Sequence, residues 1–133
     1  MMAPSPTRVM LLDDRELMHG GLPLFFRAFP DLELVGRVRN VPEAIVLYEE
    51  RAPHVIAIDL KWPEQDSPRV TQFSPRACPT AQTIITTTST SQSLLAQLLA
   101  AGARAVIHKD TTIDALASTL RAAGREATRS PGA

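Results

Sequence analysis

The sequence predicts an α/β domain, a parallel five-stranded β-sheet wound with helices on both faces. Three observations predict it. Short apolar runs alternate with helical patterns along the chain. The run "HVIAID" (54–59) is continuously apolar from Val55 to Ile58, as in a strand covered on both sides. And 133 residues, 44% apolar and 21% charged, fit one soluble domain of ordinary size.

Each element follows from a local pattern. "RVMLL" (8–12) is a short apolar strand. From Glu16 to Phe29, residues at Leu17, Gly21 or Leu22, Phe25 and Phe29 fall at helical spacing, with a kink expected at Pro23, which lacks a backbone donor. "LELVGRV" (32–38) is a half-alternating strand. "VPEAIVLYEERA" (41–52) is a helix with Pro42 in its first turn, where proline is tolerated. "HVIAID" and "QTIITT" (82–87) are the third and fourth strands. "SQSLLAQLLAAG" (91–102) is a helix with a serine near its N-cap and Gly102 past its end. "ARAVIHK" (103–109) is the fifth strand. "TTIDALASTLRAAG" (111–124) is a helix opened by a threonine cap and closed by Gly124. Residues 67–80 should hold the remaining helix, but Pro75 interrupts it, so one or two irregular turns are expected there. Residues 1–6 and 126–133 read as tails around a domain at 7–125.

Composition narrows the function. Formal net charge is zero, so no nucleic-acid surface is expected. Aromatic residues are only 5%, too few for stacking platforms. No apolar run approaches the roughly 20 residues of a membrane span, and "MMAPSPTR" lacks the apolar core of a signal peptide. The single cysteine, Cys78, makes no internal disulfide, which suits a reducing cytoplasm; it reads as a small loop residue.

In open parallel sheets, ligands bind beyond the carboxyl ends of the strands. Strand one closes with Asp13 and Asp14, strand three with Asp59, strand four with Thr86 to Thr88, and strand five with Lys109. Each has an ordinary explanation alone: a turn former, a helix cap, a strand residue, a solvated charge. Together they bring three carboxylates, a hydroxyl and an ammonium to one crevice. Clustered carboxylates repel unless a cation intervenes, and hard oxygen ligands suit Mg²⁺, which shares its shell readily with phosphate. A neighbouring lysine is a point charge for a phosphoryl oxygen. The chain has twelve arginines and two lysines, and both lysines, Lys61 and Lys109, fall at this crevice. Asp59 is then a candidate nucleophile that forms an aspartyl phosphate.

At these residues the chain resembles the receiver domain of bacterial two-component response regulators, over about residues 7–125. It is most similar to the nitrate-regulator type. "MLLDDRELMHGGL" (10–22), "DLKWP" (59–63) and "AGARAVIHKD" (101–110) carry the resemblance. It implies a flavodoxin-like, doubly wound sheet of order 2-1-3-4-5. It implies Asp59 as phosphoacceptor, Thr87 as switch hydroxyl and Lys109 as phosphate-binding lysine. It also implies Mg²⁺ held by Asp13, Asp14, Asp59 and the main-chain carbonyl of Lys61. The chemistry expected is self-phosphorylation and dephosphorylation at Asp59, with no other enzymatic activity. A sensor histidine kinase or phosphotransfer protein would donate the phosphoryl group.

Departures from the family pattern fall elsewhere. Val106 stands where an aromatic residue is usual, Ser67 where glycine is usual, Trp62 where methionine is common, and Pro75 within the irregular third helix. Val106 is expected to pack against the last helix. The helix-turn-helix output half of the nitrate-regulator type finds no counterpart after residue 125, so a stand-alone receiver is expected, signalling by protein contact or as a homodimer rather than by binding DNA. Gln97, Arg104, His108 and Arg121 are its candidate contacts. The rival reading is a pseudo-receiver that serves as an interaction or dimerisation module without phosphorylation. A mononucleotide-binding enzyme is disfavoured, because "DDRE" stands after strand one in place of a Gly-rich phosphate loop.

Overall fold

Five parallel strands form one sheet of order β2-β1-β3-β4-β5 in the computed structural model, which describes residues 6–12, 21–59, 78–87, 90–108 and 110–129. The strands are β1 (Thr7–Leu12), β2 (Leu32–Val38), β3 (Val55–Asp59), β4 (Gln82–Thr87) and β5 (Ala105–His108). The helices described are α1 (Gly21–Ala28), α2 (Val41–Arg51), α3 (Gln92–Ala100) and α4 (Ile113–Arg129). The expected irregular helix at 67–80 and the start of the first helix lie largely outside the described residues.

The period-2 alternation of the strands sorts the core into two layers. Met10, Leu12, Ile56, Ile58 and Ile85 point to one side, where Ala44 of α2 and Leu94 and Leu98 of α3 cover them. Val9, Val55 and Ile84 point to the other, against Phe25 of α1 and Ala117, Leu120 and Ala123 of α4. Both faces are therefore dry, which is why the strands read as continuous apolar runs rather than alternating ones. Val106 joins the first layer, beside α3, so the expectation that it packs against the last helix is corrected: its side chain leaves the opposite face of β5.

Side-chain oxygens cap three of the helices, and two of them, at Ser91 and Thr112, follow the sequence signals. Asn40 caps α2, its Oδ1 accepting from Glu43 N–H at 2.9 Å, with Pro42 in the first turn. Ser91 Oγ accepts from Leu94 N–H at 3.1 Å at the start of α3. Thr112 Oγ1 accepts from Ala115 N–H at 3.1 Å at the start of α4. Gly102 takes φ 116°, and its N–H bonds Leu99 O, which closes α3 as a left-handed cap.

Gly124 behaves differently from expectation. It does not stop α4, which continues to Arg129, so residues 126–129 belong to the helix rather than to a tail. Its role is contact with the sheet. A Cβ built on Gly124 would come within 2.5 Å of Thr7 Cγ2, so the missing side chain is what lets α4 lie against β1. Cys78 is in a bend before β4, as a loop residue should be, but it is only 2% exposed and part of the core. Burial pushes its thiol up to about 11, away from the reactive range.

His54 ties the start of β3 to β1. Its Nδ1 accepts from the Arg8 backbone N–H at 3.0 Å, and the His54 backbone N–H donates to Arg8 O at 2.8 Å. The Nδ1 must be unprotonated to accept. Burial, and then the Arg8 charge, holds its pKa below the usual 6.5. A folded state that binds the proton less well than the unfolded chain is most stable above pH 6.5. That stability is lost as pH falls through the lowered folded value. The wild-type urea midpoint should therefore drop between neutral pH and about pH 5.5. His54→Asn places a non-titrating acceptor near the same point and should drop less; an equal drop in both would remove His54 as the cause.

Candidate functional site

The crevice lies at the carboxyl ends of the central strands. Leu12, the last residue of β1, stands in register with Ile58, one residue before Asp59. Asp59 closes β3 and pairs with Thr86, while Thr87 closes β4 and pairs with His108. Apolar residues on both sides hold the end of β3 rigidly, and that rigidity fixes where the carboxylate is presented.

Asp59 is 9% exposed. Its Oδ1 accepts from Thr86 Oγ1 at 2.9 Å, and its Oδ2 is enclosed by protein. Burying a carboxylate is costly unless hydrogen bonds or a cation compensate it. Thr86 was singled out in the sequence only as one of the hydroxyls that end β4. Strand alternation would have distinguished it from Thr87: in parallel register, the residue opposite Asp59 shares its face of the sheet. Thr86 and Asp59 both line a hollow of about 230 Å³ that opens between α1 and α4, walled by Leu11, Phe25 and Leu116.

Thr87 is 4% exposed and points to the other face. It borders a second hollow, of about 240 Å³, with Ser91, Leu94, Val106 and His108. The short Val106 side chain leaves this space where a ring would fill it. His108 lines both hollows, and its Nδ1 accepts from Asp110 N–H at 3.1 Å.

Of the sequence-predicted site residues, Asp59 and Thr87 are described; they close adjacent strands, with their side chains on opposite faces of the sheet. Asp13, Asp14, Lys61 and Lys109 lie outside the described residues. Among the described residues, no group of three His, Cys, Asp or Glu side chains gathers to hold a metal ion. What Asp59 itself offers fits Mg²⁺: a hard carboxylate oxygen donor on a rigid strand end.

The candidate surface contacts separate. Arg104, just before β5, pairs with Glu126 of α4. Arg121 does not share that face. It pairs with Asp31 in the turn before β2, with one bond at 3.0 Å from Nη2 to Oδ1, and stacks over the Phe29 ring at 5.3 Å. The hydrogen bond from Arg121 holds the Asp31 carboxyl below its ordinary range. Residues 121 and 126 are about 140° apart around a helix of 3.6 residues per turn, which explains the split.

A doubly wound sheet of order 2-1-3-4-5 with a buried carboxylate closing its middle strand defines the class: a receiver-type α/β fold with its site at the strand ends. The family model described as "Response regulator receiver domain" matches residues 9–121, and the chain belongs to that family. Two Bacillus subtilis proteins, the transcriptional regulatory proteins YhcZ and LiaR, are each 30% identical to it. The matches cover 90% and 89% of this chain and 56% of each relative. The chain thus spans about half the length of these relatives. In structure it is similar to the signal receiver domain of a NarL response regulator from Mycobacterium tuberculosis. That match has a TM-score of 0.76 at 20% identity and covers 92% of this chain and 98% of that one. No described helix is long and apolar enough to cross a membrane.

Proposed function

We propose that this receiver domain works as a phosphorylation switch in which Asp59 accepts the phosphoryl group. The observation that supports this most is the placement of Asp59: a carboxylate only 9% exposed, closing the central strand at the crevice, beside hydroxyl-bearing residues. A structural carboxylate there would be a poor choice for stability, since a well-packed apolar residue serves a core better.

In this reading, an Asp59 oxygen attacks phosphorus in line, and the donor's leaving group departs with the bonding pair. Asp13, Asp14, Asp59 and the Lys61 carbonyl would hold Mg²⁺. When bound, Mg²⁺ neutralises the carboxylates and the phosphoryl oxygens. The Lys109 ammonium would contact a phosphoryl oxygen, and Thr87 would follow it as the switch hydroxyl. Positioning and charge neutralisation carry such a transfer, with little covalent work for other groups. A sensor histidine kinase or a phosphotransfer protein would be the donor. Output would pass through protein contact, by a partner or a second copy, in the cytoplasm and without direct DNA binding; zero net charge supports that part.

Intact mass tests the reading. With Mg²⁺ and acetyl phosphate, the mass should rise by one phosphoryl group, and chelation with EDTA should prevent the rise. An unchanged mass with Mg²⁺ present would reject it and favour the second reading, a pseudo-receiver acting as an interaction module. Val106 is the observation on that side: the hollow beside Thr87 lacks the ring that a two-state packing change would use.

A further inference from the structure

The hydroxyl that bonds the proposed phosphoacceptor belongs to Thr86, the residue before the expected switch residue. Its position is set by the backbone. Thr86 and Asp59 are register partners in adjacent parallel strands, so both side chains leave the same face of the sheet. Ile84, two residues earlier, packs on that face, and Ile85 on the other. The Oγ1–Oδ1 distance of 2.9 Å is a full hydrogen bond, with the hydroxyl as donor.

We propose that Thr86 is a positioning residue that slows phosphorylation of Asp59. This rests on the reading of Asp59 as phosphoacceptor.

The effect is one of differential binding. In the resting state, the Thr86 hydroxyl donates to a full carboxylate, a charge-assisted bond roughly twice as strong as a neutral one. During the transfer, a lone pair of Asp59 Oδ2 forms the new O–P bond. The P–O bond to acetate breaks, and acetate leaves with the electron pair of that broken bond. The product is an acyl phosphate in which Oδ1 is a neutral carbonyl oxygen. Thr86 still donates to Oδ1, but to a weaker acceptor. An interaction stronger in the ground state than in the transition state raises the barrier. The same bond fixes the rotation of the carboxylate in the arrangement that encloses Oδ2, so the attacking oxygen must also be exposed against it.

The test is the rate of phosphoryl uptake from acetyl phosphate with Mg²⁺, followed by intact mass, in the full chain. Thr86→Val keeps the branched shape and removes the donor. It should speed uptake about 5-fold, which corresponds to ~1 kcal/mol in the barrier. Thr86→Ser restores the hydroxyl and should return the slower rate. A merely structural role would not distinguish them in this order, because serine fits a strand less well than valine. Urea unfolding of both variants confirms that the rates come from folded protein. If wild type takes up phosphate and Thr86→Val is no faster, the brake is refuted and the phosphoacceptor stands. If Thr86→Val and Thr86→Ser are equally fast, the hydroxyl is not the cause. If neither wild type nor variant takes up phosphate, both readings fall together.

Discussion

Asp59→Asn should abolish phosphoryl uptake, lowering the rate by at least about 10³-fold, to the limit of detection. The amide is nearly the shape of the carboxylate. Its Oδ1 can still accept from the Thr86 hydroxyl, so the end of β3 keeps its packing and its bond at the crevice. What it loses is the anionic oxygen. An amide oxygen is a weak nucleophile toward phosphorus, and it offers no charge for a cation to balance. Loss of uptake with an unchanged urea midpoint would therefore assign the effect to chemistry and not to folding. Uptake at the wild-type rate would move the acceptor elsewhere, and the carboxylates of Asp13 and Asp14 would be the next to test.

The second large effect is on stability. Ile56 is 0% exposed on the middle strand, paired with Met10 on one side and Thr83 on the other. Ile56→Ala removes three carbons from a site that neighbouring strands prevent from collapsing. The expected cost is about 3–4 kcal/mol, from lost transfer energy plus the cavity left behind. Against a typical total of ~5–15 kcal/mol, this lowers the urea midpoint by roughly 2 M. Val46 on α2 is 55% exposed, and Val46→Ala should stay within about 0.5 kcal/mol of wild type. A loss below ~1 kcal/mol for Ile56→Ala would mean that the central strand is not packed as described.

Much of the fold was legible because its signals are local. The continuous apolar run at 55–58 marked a doubly covered strand, and the structure places it at the centre of the sheet. The serine and threonine that open two of the helices, Ser91 and Thr112, mark those starts by a side-chain oxygen that can reach a free N–H two or three residues on. The strand order came from the family resemblance, since no local pattern encodes which strand lies beside which.

What was less legible depended on tertiary contact. Gly124 looked like a stop signal because glycine is favoured past a helix end, yet here it answers to Thr7 across the interface. Arg121 looked like a surface contact because helix spacing alone does not say which neighbour a face meets; Asp31 and Phe29 decide that. Val106 was assigned to the wrong helix for the same reason. At the crevice, the strand-end rule picked out Asp59 and Thr87 as the residues that close β3 and β4. It did not rank Thr86 above Thr87 as the partner of Asp59, a distinction that needs the register of β3 against β4.

The most direct measurement of the central claim is the location of the phosphoryl group. After incubation with Mg²⁺ and acetyl phosphate, borohydride reduces an aspartyl phosphate to homoserine, and tandem mass spectrometry of the digest locates the converted residue. The account predicts homoserine at position 59 and at no other aspartate. Homoserine at position 13 or 14, or none at all, would contradict it.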